Sequence, residues 1–174
     1  MKAAKKRPFL ADQKKRLALD ISRATVAETP SNAECFKWVW QALKNEYRQA
    51  EIGIMICDEA EARQYNHDYR GKDYATNVLS FALNEGDDFA SMMPEAVGAA
   101  KVLRGDMVLC TDVVAKEAAE QNISLTAHYA HLVIHGVLHL MGYDHEQDDE
   151  AEVMEALEIN VLYQLGYPNP YSKE

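Results

Sequence analysis

Cysteine is scarce in this sequence, and its spacing excludes two kinds of site. The chain has 174 residues and three cysteines, Cys35, Cys57 and Cys110, with no Cys-x-x-Cys pair. A thiolate zinc cluster or a dithiol redox motif would normally contain such a pair. Each cysteine lies in an apolar run, so we expect all three to be buried as small hydrophobic side chains. A small, odd number of thiols is typical of a reducing cytoplasm, which is the location we expect.

Long apolar runs are also lacking. No stretch of the sequence approaches the ~20 residues that a helix needs to cross a bilayer. The first residues are basic, but the apolar segment of a secretory signal does not follow them. We therefore expect neither a membrane partner nor export through a secretory signal.

Basic residues are outnumbered by acidic ones, 18 to 28, which gives a net charge of −10. This balance argues against a general nucleic-acid coat protein, which is normally basic. Seven of the lysines and arginines fall within residues 1–16, so the remainder carries 11 basic and 27 acidic residues. The sequence predicts a basic, disordered tail over 1–16 and a single domain over 17–174. Such a tail either contacts phosphates or serves solubility alone.

The most informative pattern is the run His-Gly-Val-Leu-His-Leu-Met-Gly-Tyr-Asp-His at residues 135–145. Residues four apart lie on one face of a helix, so His135 and His139 can converge on one metal ion. Gly142 can adopt the left-handed conformation that ends a helix, which lets the chain return with His145. Three imidazoles with an open fourth position are typical of catalytic zinc. The pattern predicts one hydrolytic zinc ion per chain, held by these three histidines.

One residue departs from the zinc-peptidase motif H-E-x-x-H-x-x-G-x-x-H. The chain matches that motif except at Gly136, where the motif has its glutamate. In the peptidases this glutamate takes the proton from the metal-bound water. Gly136 has no side chain for that task. The ligand set is therefore kept, while another group must act as the base or the reaction must differ.

Two further histidines precede the run. His131 lies four residues before His135, so positions 131, 135 and 139 form one stripe. Along a helix axis, His131 and His139 would be about 12 Å apart, which is too far for both to bind one ion through bonds of about 2.1 Å. We interpret His131 as a substrate-contacting residue of the cleft, a support for a ligand, or a helix-surface residue. We expect His128 to face solvent.

Hydrophobic periodicity indicates an α+β fold. Apolar runs predict strands over residues 17–25, 52–58, 77–83 and 106–110. Helical spacing predicts helices that begin near 31 and 59, and three more over about 112–121, 125–141 and 148–165. We expect a small mixed four-stranded sheet covered by about five helices, with the metal site on a helix of the C-terminal half. Residues 17–174 then form one metallohydrolase domain.

Three segments in one order resemble the YbeY family of metal-dependent endoribonucleases. They are Asn66–Asp73 with Thr76–Phe81, Gly105-Asp106, and the histidine run. The resemblance covers roughly residues 50–165, and the stretch 84–103 departs from it because it is longer than in the family and has no recognisable motif. The resemblance implies cleavage of single-stranded RNA, zinc held by the three histidines, and an essential arginine at Arg70.

Arg70 is the strongest candidate outside the histidine run. Its planar guanidinium matches two phosphate oxygens and can stabilise charge that develops in phosphoryl transfer. The alternative is a surface ion pair with Asp68 or Asp73. The resemblance favours a catalytic role for Arg70 beside His135. Asn77 and Ser80 either contact substrate along a strand or merely alternate toward solvent.

The predicted function is a zinc-dependent endoribonuclease that acts on single-stranded RNA in small-subunit 3′-end processing and ribosome maturation. The resemblance implies RNA and the ribosome or its proteins as partners. A metal-dependent peptidase-like hydrolase is one alternative, because it would share the ligand geometry. A non-catalytic ribosome-assembly factor, in which zinc only stabilises the fold, is the other.

Overall fold

The structure is a computed structural model that describes residues 13–43, 46–47, 49–83 and 102–172. Residues 1–12 of the predicted basic tail lie outside the described residues, as do residues 84–101 of the stretch that departs from the family. Residues 13–16 are helical. Arg16 Nη2 donates a hydrogen bond to the Tyr47 carbonyl oxygen at 3.1 Å, so the end of the basic segment contacts the folded chain.

Four strands and five helices follow residues 13–16 in the described chain. The strands are β1 (Leu17–Ala24), β2 (Gln49–Cys57), β3 (Val78–Ala82) and β4 (Val102–Cys110). The helices are α1 (Asn32–Leu43), α2 (Glu59–Arg70), α3 (Thr111–Gln121), α4 (Leu125–Leu140) and α5 (Asp148–Leu165). The predicted α+β class is confirmed, and the observed β2 and β4 begin earlier than their apolar runs suggested.

The sheet is mixed, with the strand order β1-β2-β4-β3. β1 and β4 both run parallel to β2, whereas β3 runs antiparallel to β4. Along β2 buried residues alternate with more exposed ones, so one face of this strand lies on the main core while the other is only partly covered. Parallel neighbours require a crossover connection, and α1 provides it between β1 and β2.

The main core lies between one face of the sheet and the helices α1, α4 and α5. Trp38 of α1, Ile54 of β2 and Leu162 of α5 are buried in one cluster there. Helix α4 is apolar around most of its circumference, as expected for a helix that is enclosed by its neighbours. A smaller cluster, which includes Ala62 of α2 and Val108 of β4, joins α2 to the other face.

Helix ends follow signals in the sequence. Ser31 and Glu34 form a capping box, in which the Ser31 N–H donates to Glu34 Oε2 at 2.8 Å and the Glu34 N–H donates to Ser31 Oγ at 3.2 Å. Ser124 caps α4 by accepting the N–H three residues later at 3.1 Å. Gly71 and Gly166 end α2 and α5 with φ of +67° and +88°, which glycine adopts without strain.

The cysteines are buried, as predicted. Burial raises the pKa of Cys35 to about 11 and that of Cys57 to about 12, so both are protonated thiols at neutral pH. Across the described ranges, no helix is long and apolar enough to cross a membrane.

Candidate metal centre

The turn after α4 brings the three histidines of the run together. His135 and His139 lie one helical turn apart near the end of α4. The Gly142 N–H donates to the His139 carbonyl oxygen at 3.0 Å, and Gly142 itself has φ of +100°. This left-handed residue reverses the chain, as the sequence predicted, and His145 follows it.

The three side chains meet at one place. One nitrogen each from His135, His139 and His145 lies within 4.8 Å of the other two. The Nε2 atoms of His135 and His139 are 3.0 Å apart. The ring centre of His145 lies 5.6 Å from that of His135 and 5.0 Å from that of His139. The residues predicted to share one ion are therefore close enough to do so.

Hydrogen bonds decide which nitrogen of each ring carries the proton. The His139 Nδ1 atom lies 3.0 Å from the Tyr143 carbonyl oxygen, which can only accept, so Nδ1 is the donor. The His135 Nδ1 atom donates likewise to the Glu158 carboxylate. In neutral rings both Nε2 atoms then carry lone pairs, and these face each other at 3.0 Å. Two such lone pairs repel unless they share a cation, so the residues present fit a metal ion.

The surroundings of His139 favour its neutral form. Burial lowers its pKa, and the neighbouring rings of His135 and His145 lower it further. A neutral imidazole is the form that binds a metal ion. Imidazole donors suit zinc, copper, iron and nickel alike, so the donor set supports a metal site without selecting the element.

Glu158 of α5 lies behind the histidines, and the sequence analysis missed it. Its side chain is fully buried and accepts hydrogen bonds from His135 Nδ1, from the Tyr171 hydroxyl and from His131 Nε2, the last at 3.1 Å. Burial raises its pKa, but these hydrogen bonds outweigh burial and hold the pKa at about 2. The signal was its place four residues after Met154 on the buried stripe of α5, where an acid is rare.

A second set of potential ligands shares one residue with the first. Ligand atoms of His131, His135 and Glu158 also lie within 4.8 Å of one another. These atoms are already joined as a carboxylate that accepts two imidazole N–H groups. A metal ion there would have to displace both protons, whereas the facing Nε2 atoms have none to lose. The three-histidine set is therefore the candidate centre.

A groove of about 680 Å³ extends from the histidines along β3 to the end of α2. This volume lies within the range of small-molecule binding sites. The described residues that line it are Tyr69, Arg70, Thr76, Asn77, Val78, Leu79, Ser80, Phe81, Ala82, His135, His139, Leu140, Asp144, His145 and Glu146. Apart from His131, every residue that the sequence analysis assigned to the site lines this groove.

Arg70 is the last residue of α2, and its guanidinium makes no hydrogen bond or ion pair with the part of the chain that the structure describes. The carboxylates proposed as its surface partners are engaged elsewhere. Arg63 binds Asp73 through two hydrogen bonds of 2.8 Å, and Asp68 accepts from Gln64 at 2.7 Å. The guanidinium is therefore available to an anion in the groove.

Asn77 and Ser80 line the groove, but their polar groups are also bonded within the protein. The Asn77 Nδ2 atom donates to the two carboxylate oxygens of Glu117 at 3.2 Å and 3.1 Å. The Ser80 hydroxyl donates to the Gly136 carbonyl oxygen at 3.2 Å. These bonds attach the strand wall to α3 and α4. Contact of either side chain with substrate stays a prediction.

The expectation that His128 faces solvent is wrong. Its side chain is buried, and its Nε2 atom lies 2.7 Å from Glu117 Oε2. The reason is packing, because α3 lies against this part of α4. The sequence signal was the apolar character of α4 on nearly all sides, which leaves little room for a solvent-facing stripe.

Gly136 lies in close contact with side chains of the sheet. A Cβ atom at this position would lie 2.3 Å from Met107 Sδ and 3.1 Å from Ser80 Oγ. The glutamate of the peptidase motif would therefore require the side chains of Met107 and Ser80 to shift.

Fold and site together define a class: an α+β protein with a candidate three-histidine metal centre in a groove that also contains an arginine with no partner among the described residues. A family model described as endoribonuclease YbeY matches residues 20–166. The chain belongs to the YbeY endoribonuclease family, in agreement with the resemblance of its three sequence segments.

Relatives that bear the name endoribonuclease YbeY are similar over nearly the whole chain. One from Neisseria meningitidis serogroup C is 54% identical over 175 residues, which cover 100% of this chain and 99% of the relative. One from Chromobacterium violaceum is 53% identical with the same coverage. One from Pseudomonas putida is 51% identical over 158 residues, which cover 91% of this chain and 95% of the relative.

A distant solved structure supports the fold. The solution structure of a Thermotoga maritima protein matches with a TM-score of 0.54 at 22% sequence identity. The match covers 90% of this chain and 97% of that protein. At this identity the likeness bears on the fold alone.

Proposed function

We propose that this chain is a zinc-dependent endoribonuclease that cuts single-stranded RNA in ribosomal RNA processing, at the 3′ end of the small-subunit RNA. The observation that carries the proposal is the juxtaposition in one groove of the facing Nε2 atoms of His135 and His139 with the unpaired guanidinium of Arg70. Family membership supports the reaction class, because its relatives bear the name endoribonuclease. RNA, the ribosome and ribosomal proteins are the proposed partners.

His135, His139 and His145 would hold one zinc ion. When bound, zinc acts as a Lewis acid and lowers the pKa of a coordinated water toward neutrality. The chain contributes three neutral imidazoles that are already oriented. The Glu158 carboxylate and the Tyr143 carbonyl hold the protons of His135 and His139 on Nδ1, which leaves both Nε2 atoms free for the ion.

Arg70 would bind the phosphate that is cut. Its fork of N–H donors matches two phosphate oxygens, and it carries a full positive charge at any physiological pH. Asp144 and Glu146 line the groove beside His145 and would repel a phosphate from that end. The charges of the groove therefore direct the phosphate between Arg70 and the histidines, where negative charge that develops during cleavage is stabilised.

The two alternatives have weaker support. A peptidase-like reaction lacks its usual base, because Gly136 stands where the peptidase motif has its glutamate. An assembly factor that uses zinc for stability alone would not require an unpaired arginine in the groove, and chelation would unfold it. The nuclease instead uses both the histidines and Arg70.

The test is cleavage of a labelled single-stranded RNA by zinc-loaded native protein beside three variants. We expect His139→Ala and Arg70→Ala to lose at least about 100-fold in rate while they stay folded, since each removes stabilisation of charge at the phosphate. Arg63→Ala is the matched control, because Arg63 is an exposed arginine of the same helix that pairs with Asp73 outside the groove. It should cut RNA like the native protein.

Equal cleavage by all four proteins would reveal a contaminating nuclease and favour the assembly-factor alternative. If native protein leaves naked RNA intact, the same four proteins are assayed on ribosomal particles, and failure there contradicts the proposal. Peptide cleavage that tracks bound zinc, without RNA cleavage, would favour the peptidase-like alternative.

A further inference from the structure

The two carboxylate oxygens of Glu158 have separate partners. Oε1 accepts the proton of His135 Nδ1, while Oε2 accepts from the Tyr171 hydroxyl and from His131 Nε2 at 3.1 Å. Glu158 is fully buried, and the side chain of His131 is only 15% exposed. A buried charge is tolerated where hydrogen bonds satisfy it. Here one oxygen serves a metal ligand and the other anchors the carboxylate to the protein.

Tyr171 reaches Glu158 because the chain folds back after α5. The Tyr167 N–H donates to the Leu162 carbonyl oxygen at 2.9 Å across the left-handed Gly166, which ends the helix. The Tyr171 N–H then donates to Asn169 Oδ1 at 2.8 Å in a tight turn. Short-range bonds thus set the return of a residue that lies 13 positions beyond its partner.

We propose that Glu158 is the positioning residue of the metal centre, and that Tyr171 holds Glu158 in the place where it fixes His135. With its proton held on Nδ1 by the carboxylate, His135 presents the Nε2 lone pair to the groove and cannot convert to the Nε2–H tautomer without losing a charged hydrogen bond. The negative charge of Glu158 also makes the ring a stronger donor to a metal ion. The proposal rests on the three-histidine site of the proposed function, but not on RNA as the substrate.

A purely structural role for Glu158 makes a different prediction. In that case the carboxylate would stabilise the packing of α4 on α5, and its loss would lower the melting temperature without changing the affinity of the folded protein for metal. The positioning role requires the metal affinity itself to fall. It also requires the metal-free protein to hold His135 as the Nδ1–H tautomer.

The experiment measures zinc affinity by competition with a chromophoric chelator at pH 7.5, for native protein, Glu158→Gln, Tyr171→Phe and Glu155→Gln. Glutamine keeps an oxygen acceptor but removes the charge, and we expect zinc affinity to fall about 10- to 100-fold. Phenylalanine removes one hydroxyl from a side chain that is 40% exposed, and we expect a loss of about 3-fold. Glu155 is an exposed acid one turn earlier on α5, so its variant should match native protein.

The second readout is the ¹⁵N NMR spectrum of the His135 ring in metal-free protein, which shows which ring nitrogen carries the proton. We expect protonation on Nδ1 alone in native protein and a mixture of tautomers in Glu158→Gln. Native zinc affinity in folded Glu158→Gln overturns the proposal. If Glu158→Gln does not fold, Tyr171→Phe decides the matter, because native affinity and an unchanged His135 tautomer in that variant would overturn it.

These outcomes are separable from failure of the nuclease function. If the native protein cuts no RNA but Glu158→Gln binds zinc more weakly than it does, the positioning role is supported and the nuclease function is contradicted. If the native protein cuts RNA but Glu158→Gln binds zinc as tightly as it does, the nuclease function is supported and the positioning role is contradicted.

Discussion

Histidines of α4 contact two buried or partly buried carboxylates. The two carboxylate–histidine pairs differ in what the second ring nitrogen of the histidine faces. Glu117 of α3 contacts His128 Nε2 at 2.7 Å, and Glu158 of α5 contacts His131 and His135. In the described chain the other ring nitrogen of His128 is buried without a partner, whereas that of His135 faces His139 at 3.0 Å.

The contrast shows that a carboxylate–histidine pair is not by itself a sign of a metal site. Glu117 attaches α4 to α3 and also holds Asn77 at the start of β3. The role of Glu117 is therefore to hold these elements together. Glu158 makes the same kind of bond, but the ring that it holds directs its free nitrogen into the groove. The direction of the second ring nitrogen separates the two roles.

The largest effect should come from removing a ligand rather than a support. His139→Ala should weaken zinc binding by more than about 100-fold, which exceeds the effect expected for a residue that acts through a ligand. His128→Gln, from the other pair, should bind zinc within about twofold of native protein. Chelator competition on both folded variants tests this, and a comparable loss in the two would erase the distinction between the pairs.

The next effect is the acid sensitivity of the Glu158 pair. Its folded pKa is depressed from 4.5 to about 2, so its contribution is complete above pH 4.5 and is lost as the pH falls toward 2. The contribution is on the order of 3 kcal/mol. Urea unfolding of metal-free protein between pH 7 and pH 3 should show a steeper decline for native protein than for Glu158→Gln. Parallel curves would contradict the depressed pKa.

Glu117→Gln should give a smaller, purely structural change. Loss of the charged hydrogen bond to His128 should lower the free energy of unfolding by about 1–2 kcal/mol, because the ring would be left with a weaker partner. Zinc affinity should stay within about twofold of native protein. Chemical denaturation and chelator competition measure the two quantities, and a fall in zinc affinity as large as that of Glu158→Gln would place both carboxylates in one role.

The smallest effect should come from a pair that is wholly exposed. Arg63 and Asp73 share two hydrogen bonds of 2.8 Å, but solvent surrounds both side chains. Exposed ion pairs add little stability because water and salt screen them. Asp73→Asn should leave the melting temperature unchanged within error. A clear fall in the melting temperature would show that this exposed pair contributes to stability and would contradict the expected order of effects.

The sequence predicted the ligands because they are local. His135 and His139 are one helical turn apart, and Gly142 marks the place where the chain turns, so spacing alone brings His145 back. The strands and helices were predictable for a similar reason, since their apolar periods are read within short windows. Their order in the sheet required contacts between distant strands and did not follow from those windows.

Glu158 and the groove were not predictable in the same way. In sequence, Glu158 resembles the solvated acids around it, and only its place on the buried stripe of α5 distinguishes it. That Arg70 shares a groove with the histidines depends on β3 packing beside α4. The sequence indicated a role for Arg70 only through the family resemblance, whereas the fold shows that Arg70 lines the same groove as the histidines. The prediction that His128 faces solvent was wrong because α3, with Glu117, packs against that part of α4.

β3 is an edge strand: in the described ranges it pairs with β4 alone, and residues 76–82 form a wall of the groove. Free strand edges can add a strand from another molecule, which is a common route to aggregation. The groove wall is thus also one of the two edge strands of the described sheet, the other being β1. Under the proposed function, a substrate in the groove would lie along β3 and shield part of this edge, so substrate-free protein is expected to self-associate more readily than substrate-bound protein.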